Sequence, residues 1–126
     1  MGAAIVVRME LEKAQGYARY RLPDDAAERA GGLITQAVGA ASAQGVKRLL
    51  IDLDRMSATR RLSMTECYAL GEDLARAGTG LWKVAFVMDT RCLKVHQFTL
   101  NVAANRGLEA VAFATQVEAL QWLLSD

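Results

Sequence analysis

This sequence has little of what marks several protein classes. Its 126 residues include two cysteines, one histidine and one proline. Cys67 and Cys92 lack the close spacing of a metal site, and free thiols fit a reducing compartment. The apolar run at residues 3–7 is too short for an export signal or a membrane span. We therefore expect a cytoplasmic protein without a membrane span.

Charge of one sign is also lacking. Lys and Arg number 15 and Asp and Glu number 14, which gives a net charge of +1. Such a balance offers no general electrostatic attraction for nucleic acid. No glycine-rich phosphate loop follows the first parallel strand, and the sequence contains no cluster of metal ligands. The sequence therefore predicts no nucleic-acid partner, no metal and no cofactor.

What the chain does contain is an alternation of strand and helix patterns. Strands at residues 5–11 and 17–22 are predicted to pair as a hairpin around a turn near residues 12–16. Pro23 ends the second strand, and apolar residues at helical spacing then predict a helix that ends at Gly45. The later strands are predicted at residues 48–54, 82–88 and 110–114, and the later helices begin at Ser63, Leu93 and Gln116.

This alternation predicts the fold class. Strands joined through helices make right-handed crossovers and form a parallel sheet, while the hairpin adds an antiparallel edge. We expect an α/β protein with a mixed, mostly parallel sheet of about five strands, an N-terminal β-hairpin at its edge and about four helices. A chain of 126 residues fits a single domain, residues 1–126.

Positively charged residues gather where two central strands are predicted to end. The loop after the first of these strands contains Arg55, Arg60 and Arg61, and the loop after the next contains Arg91 and Lys94. The carboxyl ends of parallel strands meet at one edge of a sheet, where helix N-termini favour anions. The pattern indicates a contact site for a phosphate, a phosphorylated residue or an acidic partner. A solvated polar loop explains the same residues without any function.

Ser63 has two interpretations. With Glu66 it forms the pattern of a capping box, in which both side chains bond to the first turn of a helix. Alternatively, Ser63 is a phosphoacceptor, because a phosphate there would lie at a helix N-terminus beside two arginines. Ser57 and Thr59 are the rival candidate acceptors in the same loop.

Cys92 and His96 lie four residues apart near the start of the third predicted helix. Beside Arg91 and a helix N-terminus, the pKa of the thiol is expected to fall, which would make Cys92 reactive. No second acid or orienting residue is obvious near this pair, and His96 is the only histidine. The sequence therefore favours a protein that is not an enzyme.

The same helix has apolar residues on two sides. Its predicted buried side consists of Val95, Phe98 and Val102. Leu93, Leu100 and Ala104 fall on the opposite side and are candidate contacts with a second chain, including a second copy in a homodimer. Exposed leucines also occur singly without any role, which is the alternative interpretation.

Six segments of the sequence, taken in order and with their spacing, support a family resemblance. They are RLLIDL at 48–53, ECYALGE at 66–72, VAFV at 84–87, ANRGL at 104–108, VAF at 111–113 and ALQWL at 119–123. Together they resemble the SpoIIAA-like branch of the STAS domains, the sulphate-transporter and anti-sigma-factor-antagonist domains. The resemblance covers the chain from about residue 46 to its end, and the earlier elements are compatible in order.

The resemblance implies a mixed sheet with helices mainly on one face, and binding rather than catalysis. In regulatory members of that family, a kinase phosphorylates a Ser or Thr at the start of the helix after the central strand. This modification switches binding to a partner kinase or anti-sigma factor. The matching zone here runs from Ser57 to Ser63, where Ala-Thr-Arg-Arg-Leu-Ser at residues 58–63 replaces the usual Asp-Ser-Ser/Thr-Gly signature.

Two functional hypotheses follow. The leading one is a regulatory module that binds a protein partner through the arginine-containing loop and the helix after it. The alternative is a carrier or sensor of a small or lipid-like molecule, with a cavity between helices and sheet. The residues that would leave this cavity are Gly31, Gly32, Ala103 and Ala104.

Overall fold

Strands and helices alternate along the chain from the second strand onward. The computed structural model describes residues 11–23, 29–53 and 62–125, and every structural statement below concerns these residues. The strands are β1 (Glu12–Ala14), β2 (Tyr17–Arg21), β3 (Arg48–Asp52), β4 (Lys83–Val87) and β5 (Ala110–Phe113). The helices are α1 (Ala30–Ala43), α2 (Met64–Ala77), α3 (Thr90–Asn105) and α4 (Gln116–Leu123).

The strands form one mixed sheet. Its order follows the sequence, β1-β2-β3-β4-β5, and only β1 is antiparallel to its neighbour. The predicted fold class, an α/β protein with a mostly parallel sheet and a hairpin at its edge, is therefore confirmed. The hairpin differs in detail, because β1 occupies residues predicted as a turn and Gly16, with φ +85°, makes the turn itself. Most of the strand predicted at 5–11 lies outside the described residues.

Two apolar cores lie on the two faces of the sheet. Alternate residues of a strand point to opposite faces, so Leu49 and Ile51 pack on one side while Leu50 packs on the other. The first face is covered by α1, α2 and α3, which contribute buried residues such as Val38, Leu74 and Ala103. The second face is covered by α4. Three helices therefore share one face of the sheet.

Several helix ends agree with the turn and capping signals of the sequence, whereas α3 begins at Thr90, three residues before the predicted start at Leu93. Gly45 and Gly107 follow α1 and α3 with φ +76° and +102°, a backbone region that favours glycine. The Oγ1 atom of Thr115 accepts a hydrogen bond from the Glu118 amide at the start of α4. At the other end of α4, the Nζ atom of Lys83 donates to the carbonyls of Trp122 and Ser125, both at 2.9 Å.

Candidate functional site

The starts of α2 and α3 lie side by side at the carboxyl edge of the sheet. Both helices connect parallel neighbouring strands on the same face, so they run parallel to each other. They touch at Gly71, where an added methyl group would lie 2.7 Å from the carbonyl oxygen of Thr99 and from Cβ of Val102. Glycine at this position lets the two helices pack directly against each other.

The arginine-containing loop of the sequence hypothesis falls outside the described residues. This applies to Arg55, Arg60 and Arg61 and to the candidate phosphoacceptors Ser57 and Thr59. The structure does place the two cations of the second loop: Arg91 and Lys94 are exposed in the first turns of α3. Neither forms an ion pair in the described part of the chain.

Ser63 is the N-cap of α2, as the capping interpretation predicts. Its Oγ atom accepts a hydrogen bond from the Glu66 amide at 3.1 Å, and the Ser63 amide donates to Oε1 of Glu66 at 3.0 Å. This reciprocal pair satisfies two amides that the first turn of a helix leaves without a partner. The hydroxyl therefore has a role in folding, and its phosphorylation stays a prediction.

Asp89 has the corresponding role for α3. Its Oδ1 atom accepts a hydrogen bond from the Cys92 amide at 2.9 Å. This bond lowers the pKa of the Asp89 carboxyl below its usual value, and the charge of Arg91 acts in the same direction. The two helices thus begin at the same edge with different caps, a neutral hydroxyl on α2 and a carboxylate on α3.

The predicted faces of α3 are wrong for four of the six residues assigned to them. Leu100 is only 4% exposed and belongs to the core, and Leu93 packs against that core, so neither lies on a free interface. Val95 and Phe98, predicted as buried, are exposed, whereas Val102 is buried as predicted. Both sides of α3 are apolar at helical spacing, and contact with the sheet selects the side of Leu93 and Leu100. Ala104 is exposed.

Four large apolar side chains of these two helices are exposed on the N-terminal side of the residues at which the helices touch. Met64 and Tyr68 of α2 are 71% and 42% exposed, and Val95 and Phe98 of α3 are 39% and 38% exposed. Met64 and Val95 lie two helical turns before Gly71 and Val102, the residues through which α2 and α3 touch. The four side chains therefore border the same groove. We call them the α2/α3 surface.

The same groove is closed further along both helices. Nη2 of Arg106, the residue that follows α3, lies 2.9 Å from Oε2 of Glu72 on α2. The guanidinium of Arg106 also donates to the Tyr68 hydroxyl and lies over the Tyr68 ring. Tyr68 thus stands at the boundary, with its hydroxyl in the closed part and its ring partly exposed.

Cys92 does not have the surroundings of a reactive thiol. It is buried, and burial raises the pKa of the thiol; Asp89 acts in the same direction and Arg91 opposes it. Burial also lowers the pKa of His96. The expected fall in the thiol pKa is therefore wrong in direction, because the thiol lies in the core rather than at the solvent-facing end of the helix.

The small residues of the cavity hypothesis do not gather in one place. Gly31 packs against α2, since a methyl group added at Gly31 would lie 3.6 Å from Cδ1 of Leu70, and Ala103 is fully buried in the core. Gly32 and Ala104 are exposed. The described strands also keep a sequential order, whereas ligand crevices in open parallel sheets form where strand order reverses.

One charged cluster was missed by the sequence reasoning. Asp52, buried at the end of β3, accepts hydrogen bonds at Oδ2 from Arg19 at 2.9 Å and from Arg21 at 3.2 and 3.3 Å. Period-two alternation in β2 puts both arginines on one face, but only the register of β2 beside β3 brings them to Asp52. The cluster fixes the end of the strand from which the arginine-containing loop departs.

Neither a metal site nor a membrane-spanning helix is found among the described residues. No group of three or more His, Cys, Asp or Glu side chains in this part of the chain is arranged to hold a metal ion. None of the described helices is long and apolar enough to cross a bilayer. No family model, curated protein or solved structure matches the chain.

Proposed function

We propose that this chain is a non-enzymatic regulatory module that binds a protein partner at the carboxyl edge of its sheet. The observation that carries the proposal is the α2/α3 surface, in which four large apolar side chains stay exposed beside Arg91 and Lys94. A cluster of exposed apolar groups with a charged rim is typical of a protein-binding site.

The architecture supports the same proposal. A sequentially ordered mixed sheet with three helices on one face agrees with what the resemblance to SpoIIAA-like STAS domains implies. The helix after the central strand, which the sequence hypothesis names as part of the contact, carries Met64 and Tyr68. Arg55, Arg60 and Arg61 precede that helix in the chain, and the proposal includes them as a prediction from the sequence.

Site-specific photo-crosslinking in the native host tests the proposal. A photoreactive phenylalanine analogue replaces Phe98 in one variant and Val117 in a control. Val117 is also an exposed apolar residue, at 66%, but it lies on α4, which covers the opposite face of the sheet. We expect a discrete crosslinked protein from position 98 and none from position 117. Equal products from both positions, or none from position 98, would contradict the proposed surface.

Charge reversal then separates the described part of the site from the loop. In the crosslinking variant, Arg91→Glu with Lys94→Glu tests the cations of α3, and Arg60→Glu with Arg61→Glu tests the loop. We expect either pair to reduce the crosslinked product, because both remove positive charge from the proposed contact. If only the α3 pair reduces the crosslinked product, the α2/α3 surface binds the partner and the arginine-containing loop does not contribute to binding.

A further inference from the structure

We infer that the α2/α3 surface accepts an amphipathic helix of the partner protein, and that this helix carries acidic residues along its polar flank. The inference rests on the proposed function, since it names the kind of partner that the same surface binds. It depends on three observations: the shape of the groove, the charges of the described residues around it, and the bonds that those charges already make.

The shape of the groove favours a helix over an extended peptide. Met64, Tyr68, Val95 and Phe98 line a groove between two parallel helices that is closed at one end by Arg106. Inside a helix the backbone amides and carbonyls bond to one another, so this groove offers no free row of donors to which a strand could add. A partner helix buries an apolar stripe by lying along the groove, as helices do when they pack on one another.

The charges around the groove favour an acidic partner. The carboxylates of α2 already have partners within the chain: Glu66 accepts from the Ser63 amide, Glu72 pairs with Arg106, and Asp73 pairs with Arg76. Arg91 and Lys94 are exposed and form no ion pair with the described residues. Asp89, the N-cap of α3, is close enough to Arg91 for the charge of Arg91 to lower its pKa, but the two form no ion pair. Arg91 and Lys94 thus remain available to form ion pairs, and acidic residues on the partner would supply the second member of each pair.

A second copy of the chain is a less favourable occupant. In a symmetric dimer the same patch lies on both sides of the interface, so Arg91 and Lys94 of both copies would enter it. Like charges brought together oppose association. A heterologous partner with acidic residues avoids this repulsion.

Peptide display provides the test, because it assumes no particular partner. The probe is a displayed library of random peptides of about 16 residues, which is long enough for about four helical turns. Peptides are selected on the purified full-length chain and counter-selected on the Phe98→Asp variant, whose fold is checked by circular dichroism. Tyr68→Asp serves as a second counter-selection variant in case Phe98→Asp does not fold.

The recovered sequences decide between outcomes. We expect apolar residues at helical spacing with an excess of Asp and Glu, and binding that weakens about tenfold or more with Arg91→Glu and Lys94→Glu and falls with added salt. Peptides without helical periodicity, or with basic flanks, would overturn the inferred partner while leaving the surface in place. If every selected peptide is lost in counter-selection because it binds the variant as well as the chain, both the inference and the proposed surface are overturned.

The oligomeric state tests whether a second copy of the chain occupies the groove. Light scattering after size-exclusion chromatography measures whether the chain is a dimer that Phe98→Asp converts to a monomer. That result would assign the groove to a second copy and overturn the inference. We expect the same mass for the wild-type chain and the variant.

Discussion

Helices α2 and α3 have two halves that differ in chemistry. In the C-terminal half, Gly71 brings the two backbones together against Val102, and Arg106 bridges to Glu72. On the N-terminal side of this contact, Met64, Tyr68, Val95 and Phe98 stay exposed although they continue the same stripes. A sequence that builds a close contact over one half of a helix pair is able to do so over the other. The C-terminal half of the pair serves the fold, and the exposed half is the part that we propose for binding a partner.

The largest effect on stability is expected from substitutions that compare the buried side of α3 with its exposed side. We expect Leu100→Ala to lower the free energy of unfolding by about 2–5 kcal/mol, because Leu100 fills the core. Phe98→Ala, which removes a larger but partly exposed side chain, is expected to cost less, about 1–2 kcal/mol. Chemical denaturation of both variants measures the two values. Equal losses would mean that Phe98 belongs to the core and that the α2/α3 surface is not available to a partner.

The contact in the C-terminal half is tested by a substitution at Gly71, with Gly32 of α1 as a control glycine that also lies inside a helix. A methyl group at Gly71 meets the Thr99 carbonyl and Val102 at 2.7 Å, so we expect Gly71→Ala to cost about 1–3 kcal/mol through overpacking. Gly32 of α1 has nothing within 4 Å of that position, so Gly32→Ala is expected to gain up to about 1 kcal/mol from helix propensity. Thermal unfolding of both variants provides the comparison. A stabilising Gly71→Ala would show that the helices are not held in direct contact there.

Features that depend on neighbouring residues were predictable from the sequence, and features that depend on contacts between distant elements were not. Ser63 with Glu66, and Gly107 after α3, depend on a few neighbouring residues, and the structure confirms both. The face of α3 depends on which of two apolar stripes meets the sheet, and that choice is made by α2 and the strands. The pairing of Arg19 and Arg21 with Asp52 likewise requires the register between β2 and β3. Local signals were sufficient for most of the helices and strands, but not for β1, which occupies residues predicted as a turn, or for the start of α3. They were also insufficient for the surface that carries the proposed function.

A smaller effect on the free energy of unfolding is expected at Ser63, which has been interpreted both as the cap of α2 and as a phosphoacceptor. Ser63→Ala removes the hydroxyl that bonds the Glu66 amide and is expected to cost about 1 kcal/mol. Ser63→Asp keeps a capping oxygen and adds a negative charge, so its free energy of unfolding is expected to stay close to that of the wild type. Urea denaturation measures both.

Binding of a peptide selected on the α2/α3 surface then separates folding from regulation at Ser63. If Ser63→Ala and Ser63→Asp bind it equally, the residue serves the fold alone. A loss of binding in Ser63→Asp alone would support a charge switch at this position, as expected for a phosphoacceptor.

The cap of α3 provides the finest comparison, because it is a carboxylate where α2 has a hydroxyl. The hydrogen bond from the Cys92 amide lowers the pKa of Asp89, so the charged cap stabilises the folded state above the unfolded pKa of this group. As the pH falls below that value and through the lower folded pKa, this stabilisation is lost. Asp89→Asn keeps a capping oxygen but does not titrate, so its stability should fall less steeply with acid than that of the wild type.

The measurement is the difference between the two urea-unfolding profiles against pH, since the other carboxylates titrate in both proteins. Ser63→Asp, which has the same type of cap on α2, should steepen the profile instead. Parallel profiles for the wild type and Asp89→Asn would mean that the charge of Asp89 contributes nothing to the start of α3.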